Sequence, residues 1–189
     1  MLKKIPYQQS QSVLQRFELS DEAAACVADT MAPSEVISVL QSNKLYIDLV
    51  NFFSHGLPMR EVIWWACLAL ELRMGDWSAE EKKVIADCKG WVQEPDEAKR
   101  RLAERQVKQL GVQCAPGWLA QAVFWNGSGS LAEPAQPVVL PPEFLYAKAA
   151  AGAINTASVI PKWKGYDDYC PRVIAMAENL ARGGRGHPE

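Results

Sequence analysis

The sequence predicts an all-α fold of about nine helices packed as antiparallel helical hairpins, with a long Gly/Pro-rich loop before the eighth. Three observations carry that reading. Helix-start and helix-stop residues recur along the chain, and alternating strand patterns are nearly absent. Residues 62–70 are apolar right around a helix, so that segment must be surrounded by others. Short connections between successive helices favour antiparallel neighbours.

The elements follow in order. Ser20-Asp21-Glu22 opens the first helix, with Ser20 as N-cap and two carboxylates in the first turn. Pro33 suits the first turn of the second, through Val36, Ile37 and Leu40. The third covers about 44–54, where Leu45, Leu49, Phe52 and Phe53 form a helical stripe, and Gly56 stops it. Pro58 opens the fourth, which runs to Met74, with Gly75 placed for a left-handed C-terminal residue. Ser78-Ala79-Glu80-Glu81 is a capping box that starts the fifth, ended before Pro95.

The sixth helix, about 96–110, ends at Gly111 and carries Glu97/Arg101 and Glu104/Lys108 at i,i+4. The seventh runs from Pro116 to about Asn126. The eighth runs from near Pro142 towards Ile160, and its small residues 149–153 let neighbouring helices approach closely. The ninth, roughly 166–181, contains Pro171, which is tolerable in a first turn and bends the axis otherwise. These limits give a tail over 1–16, a single helical domain over 17–182 and a disordered tail over 183–189.

Residues 126–142 break the short-loop rule. They contain Gly127-Ser128-Gly129-Ser130, then Pro134, Pro137, Pro141 and Pro142, and the prolines hold the second half extended. Two readings stay open. The segment is a strap laying Val138, Val139 and Leu140 on the bundle, or it docks a partner.

Composition removes several function classes. The chain has 189 residues, 49% hydrophobic and 22% charged, a globular balance. Its 20 Lys+Arg against 22 Asp+Glu speak against a strongly electrostatic nucleic-acid binder. Five scattered cysteines with no CxxC pair make neither a disulfide framework nor a zinc site, and fit a reducing cytoplasm. There is no apolar signal core, and the longest apolar run is too short to span a membrane.

Catalytic patterns fare no better. Gly127-Ser128-Gly129 follows a helix and lacks the third glycine and the lysine of a phosphate loop. GxSxG and HExxH are missing. His55 reads as a helix C-terminal cap, and the pairs Glu80-Glu81 and Asp167-Asp168 as helix-start charges. Lys99-Arg100-Arg101 reads as a solvated helical face. The expectation is a protein that is not an enzyme and takes no cofactor and no metal.

Of seven tryptophans, Trp64, Trp65, Trp91, Trp118 and Trp125 fall in helices, whereas Trp77 and Trp163 fall in loops. Lys162-Trp163-Lys164-Gly165-Tyr166 sets an aromatic between two ammonium groups, a cluster common at binding hot spots. Trp163 is either such an anchor or a lid over the last two helices. The candidate partner-binding residues are Lys162, Trp163, Lys164 and Tyr166, with Pro134 and Pro137 of the long loop.

Three segments together carry a family resemblance: residues 57–69, residues 117–131 with their Gly-Trp-Leu-Ala and Phe-Trp-Asn-Gly-Ser-Gly-Ser-Leu stretches, and the small-residue helix 147–157. In that order the chain resembles a bacterial helical domain family of unknown function found in type VI secretion gene clusters. The resemblance spans about 14–181 and implies no catalytic residues. It implies a cytoplasmic adaptor or co-chaperone that binds another protein during effector loading: a secretion adaptor, a spike component or the effector. The alternative is an immunity protein that neutralises a secreted toxin. Neither role requires nucleic acid or a membrane.

Overall fold

The computed structural model describes residues 2–133 and 135–187. Among them are ten α-helices and no strand. They are α1 (Gln11–Leu14), α2 (Asp21–Ala24), α3 (Pro33–Ser42), α4 (Tyr46–Gly56), α5 (Met59–Glu71), α6 (Ala79–Gln93), α7 (Glu97–Leu110), α8 (Ala115–Phe124), α9 (Leu145–Ser158) and α10 (Tyr166–Ala181). The nine expected helices are α2 to α10, and α1 is one further turn.

Side-chain capping explains three of the helix starts. The Ser20 hydroxyl accepts from the Ala23 amide at 3.2 Å. Ser78 accepts from the Glu81 amide at 3.2 Å while the Glu81 carboxylate accepts from the Ser78 amide at 2.8 Å, the complete capping box. Asp96 caps α7 through the Lys99 amide at 2.7 Å. Gly111 closes α7 with φ 69°. Gly75 does not act as a left-handed stop. Helix α5 ends earlier, and residues 70–76 run on through i to i−3 bonds such as Arg73 N–H to Leu70 C=O at 3.0 Å. Pro171 falls in the second turn of α10, so the Asp167 carbonyl receives no amide from it.

Where the sequence suggests one domain over 17–182, the backbone divides into two compact units, Met1–Pro58 with Asp167–Glu189, and Met59–Tyr166. In the first unit, α3 and α1 pack on α4. Residues 2–16 of the segment expected as a tail belong to this packing, and residue 1 lies outside the described residues. Ile5 and Val13 are buried, the Lys4 amide donates to Ala181 C=O at 2.9 Å, and the Ser10 amide to Met31 C=O at 2.8 Å. Two isolated apolar residues among polar ones carry no periodicity, which is why pattern alone reads them as tail. Of the tail expected as disordered over 183–189, the described residues 183–187 fold back likewise, and 188–189 lie outside the described residues. The amides of Gly184 and Gly186 donate to the Asn179 carbonyl and side chain at 2.8 and 2.9 Å. His55 is buried, stacked on Phe17 with ring centres 5.1 Å apart, with Nδ1 2.8 Å from Asn51 C=O.

In the second unit α8 is central, packed most extensively on α9 and α7, and α5 lies on α9 and α6. Trp65, Ile63, Trp91, Ile85 and Leu119 fill its core. Trp77, in a loop, is also buried and donates its indole N–H to Leu70 C=O at 2.8 Å. The thin face of α9 admits Trp118, whose ring lies 3.1 Å from where a Cβ would stand on Gly152. No helix among the described residues is long and apolar enough to cross a membrane.

Candidate functional site

The loop that leaves α9 presents Trp163. Its backbone turns through two successive left-handed residues, Lys162 with φ 51° and Trp163 with φ 65°, then Gly165 with φ 77°. Non-glycine residues adopt that region rarely, and it persists where surrounding bonds hold it. Here the Trp163 amide donates to Val159 C=O at 2.7 Å, the Lys164 amide to Pro161 C=O at 3.0 Å and the Tyr166 amide to Trp163 C=O at 3.2 Å. Arg73 reaches the Ser158 and Lys164 carbonyls at 3.4 and 3.5 Å, pinning both ends of the loop.

The result is an indole 62% exposed, so Trp163 is no lid. The Tyr166 ring stands beside it, centres 5.3 Å apart and tilted by 56°. Lys162 and Lys164 are exposed on either side in sequence. Four of the six candidate residues thus occupy one short, braced turn.

The long loop has two unlike halves. In the first, Asn126 is buried and its side-chain oxygen accepts from the Ser128 amide at 2.8 Å. Arg100, from α7, is fully buried, contrary to the expected solvated face. It donates to Phe124 C=O at 3.0 Å and Ser130 C=O at 2.9 Å, and makes a two-pronged pair with Glu97 at 2.6 and 2.7 Å. Its guanidinium also lies 5.0 Å from the centre of the Phe124 ring. A Cβ on Gly129 would sit 2.7 Å from Arg100 Nε, so glycine is what lets the loop close over the cation. Arg101 continues the clamp, donating to Ala132 C=O at 2.8 Å.

The second half is pinned at a few points. Ser130 Oγ accepts from the amides of Ala132 and Val139, both at 3.0 Å, and the Leu131 amide donates to Val139 C=O at 2.7 Å. Despite that hook Val138, Val139 and Leu140 are 75%, 53% and 60% exposed, instead of lying on the bundle. Pro137 is exposed as well, and Pro134 lies outside the described residues. The strap enters α9 and the Trp163 loop leaves it. An unbroken helix of 14 residues sets those attachment points about 21 Å apart. The candidate residues therefore form two separate patches rather than one compact site.

Nucleophilic chemistry finds little purchase. Burial pushes the thiols of Cys67 and Cys88 well above the usual range, and Glu71 adds to the effect at Cys67. Cys114, half-buried at the start of α8, is raised by burial too. No disulfide joins the five cysteines, and no group of three or more His, Cys, Asp or Glu among the described residues could hold a metal.

The model of the family of unknown function DUF6931 matches residues 36–181. The chain belongs to that family. No curated protein and no solved structure matches it. The DUF6931 match takes in the Arg100 clamp, the strap and the Trp163 loop, and begins inside α3, so the packed N-terminal segment lies outside it. Arg100 is the structural residue that sequence reasoning misses. The available signal was the pairing of a basic run with a glycine-rich loop about 30 residues later, and composition alone does not express it.

Proposed function

We propose that this DUF6931 chain is a non-enzymatic protein-binding adaptor or co-chaperone acting in the cytoplasm, in the loading of type VI secretion effectors. The observation that carries the binding role is Trp163, held outward by a braced left-handed turn with Tyr166 beside it and a lysine on each side. A large exposed aromatic whose backbone is fixed loses little entropy on contact, which suits an anchor. The exposed Val138, Val139 and Leu140 supply a second apolar patch on the same unit. The secretion setting is supported by the resemblance of residues 57–69, 117–131 and 147–157 to the domains found in such gene clusters.

The test is Trp163→Ala, followed by both melting temperature and retention of a partner copurified from the native host. Truncating an anchor costs about 2 kcal/mol, roughly thirtyfold in affinity. Lost binding at unchanged stability, with a spike component, effector or second adaptor as the retained partner, sustains the proposal. Tight retention of a single toxin transfers the role to immunity. Unchanged binding removes Trp163 from the interface.

A further inference from the structure

The first unit contains a cavity that the proposed adaptor surface does not use. It has a volume of about 620 Å³ and lies between the N-terminal segment, the start of α3 and the residue following α10. That volume is typical of pockets that hold a small ligand. Ile5, Pro6 and Pro33 give it apolar walls, and its two charged lining residues, Lys3 and Arg182, are both cationic. Neither neighbouring carboxylate lines the cavity, although one of them pairs with Arg182. Glu35 accepts from the Ala32 amide at 2.7 Å, and Glu178 pairs with Arg182 at 2.7 Å without lining the cavity.

The cations are placed by the fold. The Lys4 amide bonds Ala181 C=O at 2.9 Å, which brings the N-terminal segment to the end of α10. The Lys3 stem then lies over Gly183, its Cδ 3.3 Å from where a Cβ would stand. Tyr7 also lines the cavity, and its hydroxyl accepts from Arg16 at 3.2 Å. An apolar chamber with positive charge alone among its charged lining matches a ligand with a carboxylate on an apolar body. We infer that this cavity binds such an amphiphilic carboxylate, with Lys3 and Arg182 holding the anionic end and the Ile5–Pro33 wall taking the apolar part.

Two sources share that chemistry: a free medium-chain acid and the apolar C-terminus of a peptide. Amide-nitrogen NMR titration of the full chain separates them, using decanoate against decanol, and a leucine-terminated tripeptide acid against its C-terminal amide. Saturable shifts centred on Ile5, Tyr7 and Ser34 are expected with one acid, and its neutral counterpart should bind roughly tenfold more weakly. Replacing both cations, Lys3→Gln with Arg182→Gln, should weaken the acid by about the same factor. The Glu178 pair that this removes is exposed and contributes little to stability, so the melting temperature should hold. Lys3→Arg with Arg182→Lys should restore binding. Equal affinity for acid and neutral probe, no saturable shift with either acid, or undiminished binding by the Gln variant overturns the inference.

Discussion

Between α8 and α9, residues 126–132 and residues 137–142 are held in opposite ways. The first stretch is glycine and serine, the composition of a flexible linker, yet buried Arg100 ties it down through Phe124 and Ser130, and Arg101 through Ala132. The second sets Val138, Val139 and Leu140, residue types usually found in a core, between prolines, yet these side chains face solvent. Burial here follows hydrogen-bond supply rather than hydropathy. A guanidinium with five donors can be withdrawn from water when carbonyls and a carboxylate meet it. Three apolar side chains bracketed by prolines carry no such donors: Val139 is hooked through its backbone to Ser130 and Leu131, and the side chains stay in water. The difference assigns scaffold to the polar half and leaves the apolar half for contact with something else.

The largest effect is expected from Arg100→Met, which keeps the stem and removes the donors. It should cost about 3 kcal/mol, because the Phe124 and Ser130 carbonyls lose their charged partner while α7 keeps its helical register. Urea unfolding measures it, and a loss below about 0.5 kcal/mol would return the clamp to surface decoration. Gly129→Ala comes next, at about 1–3 kcal/mol, since the added methyl must displace the guanidinium. Combined with Arg100→Met it should cost less than the two separate losses added together, because the space the methyl needs has been vacated.

A smaller effect follows from the ion pair. The Arg100 hydrogen bonds hold the Glu97 carboxyl below its ordinary value of 4.5, and Arg101 adds to this. A depressed folded pKa contributes stability above the unfolded value, and that contribution is lost as pH falls through the folded one. Acidification below about pH 4.3 should therefore destabilise the native chain more steeply than the Arg100→Met variant. Glu97 is more than half exposed, so solvent keeps the difference small. Parallel acid slopes in the two proteins would contradict it. The least effect on stability is expected from Val138→Ser with Leu140→Ser, within about 0.5 kcal/mol. A loss larger than that would mean the strap contributes to folding after all.

These contrasts also mark what the chain discloses before it folds. Starts at Ser20, Ser78 and Asp96 are legible because a cap and the amide it accepts from lie three residues apart. Trp163 stands out because lysines flank it in a loop, and the structure does expose it. Arg100 is illegible for the opposite reason: the carbonyls that remove it from water lie 24 and 30 residues away, and its sequence neighbours Lys99 and Arg101 suggest a wet face. Trp77 shows the same limit, since being in a loop says nothing of the Leu70 carbonyl that receives its indole. The N-terminal segment 2–16 is tied by the Lys4–Ala181 bond, a contact across some 177 residues that no local pattern reports.

Gly152 and Trp118 are neighbours in the packing of α9 on α8, and that contact bears on descent. An indole resting 3.1 Å from a missing side chain makes the two positions a single heritable unit. Within DUF6931, a lineage that acquires alanine or serine at position 152 needs the ring at 118 to give by a few tenths of an ångström, so a change at one position alters what the other tolerates. The two alignment columns are accordingly expected to drift together, each constraining which changes in the other survive.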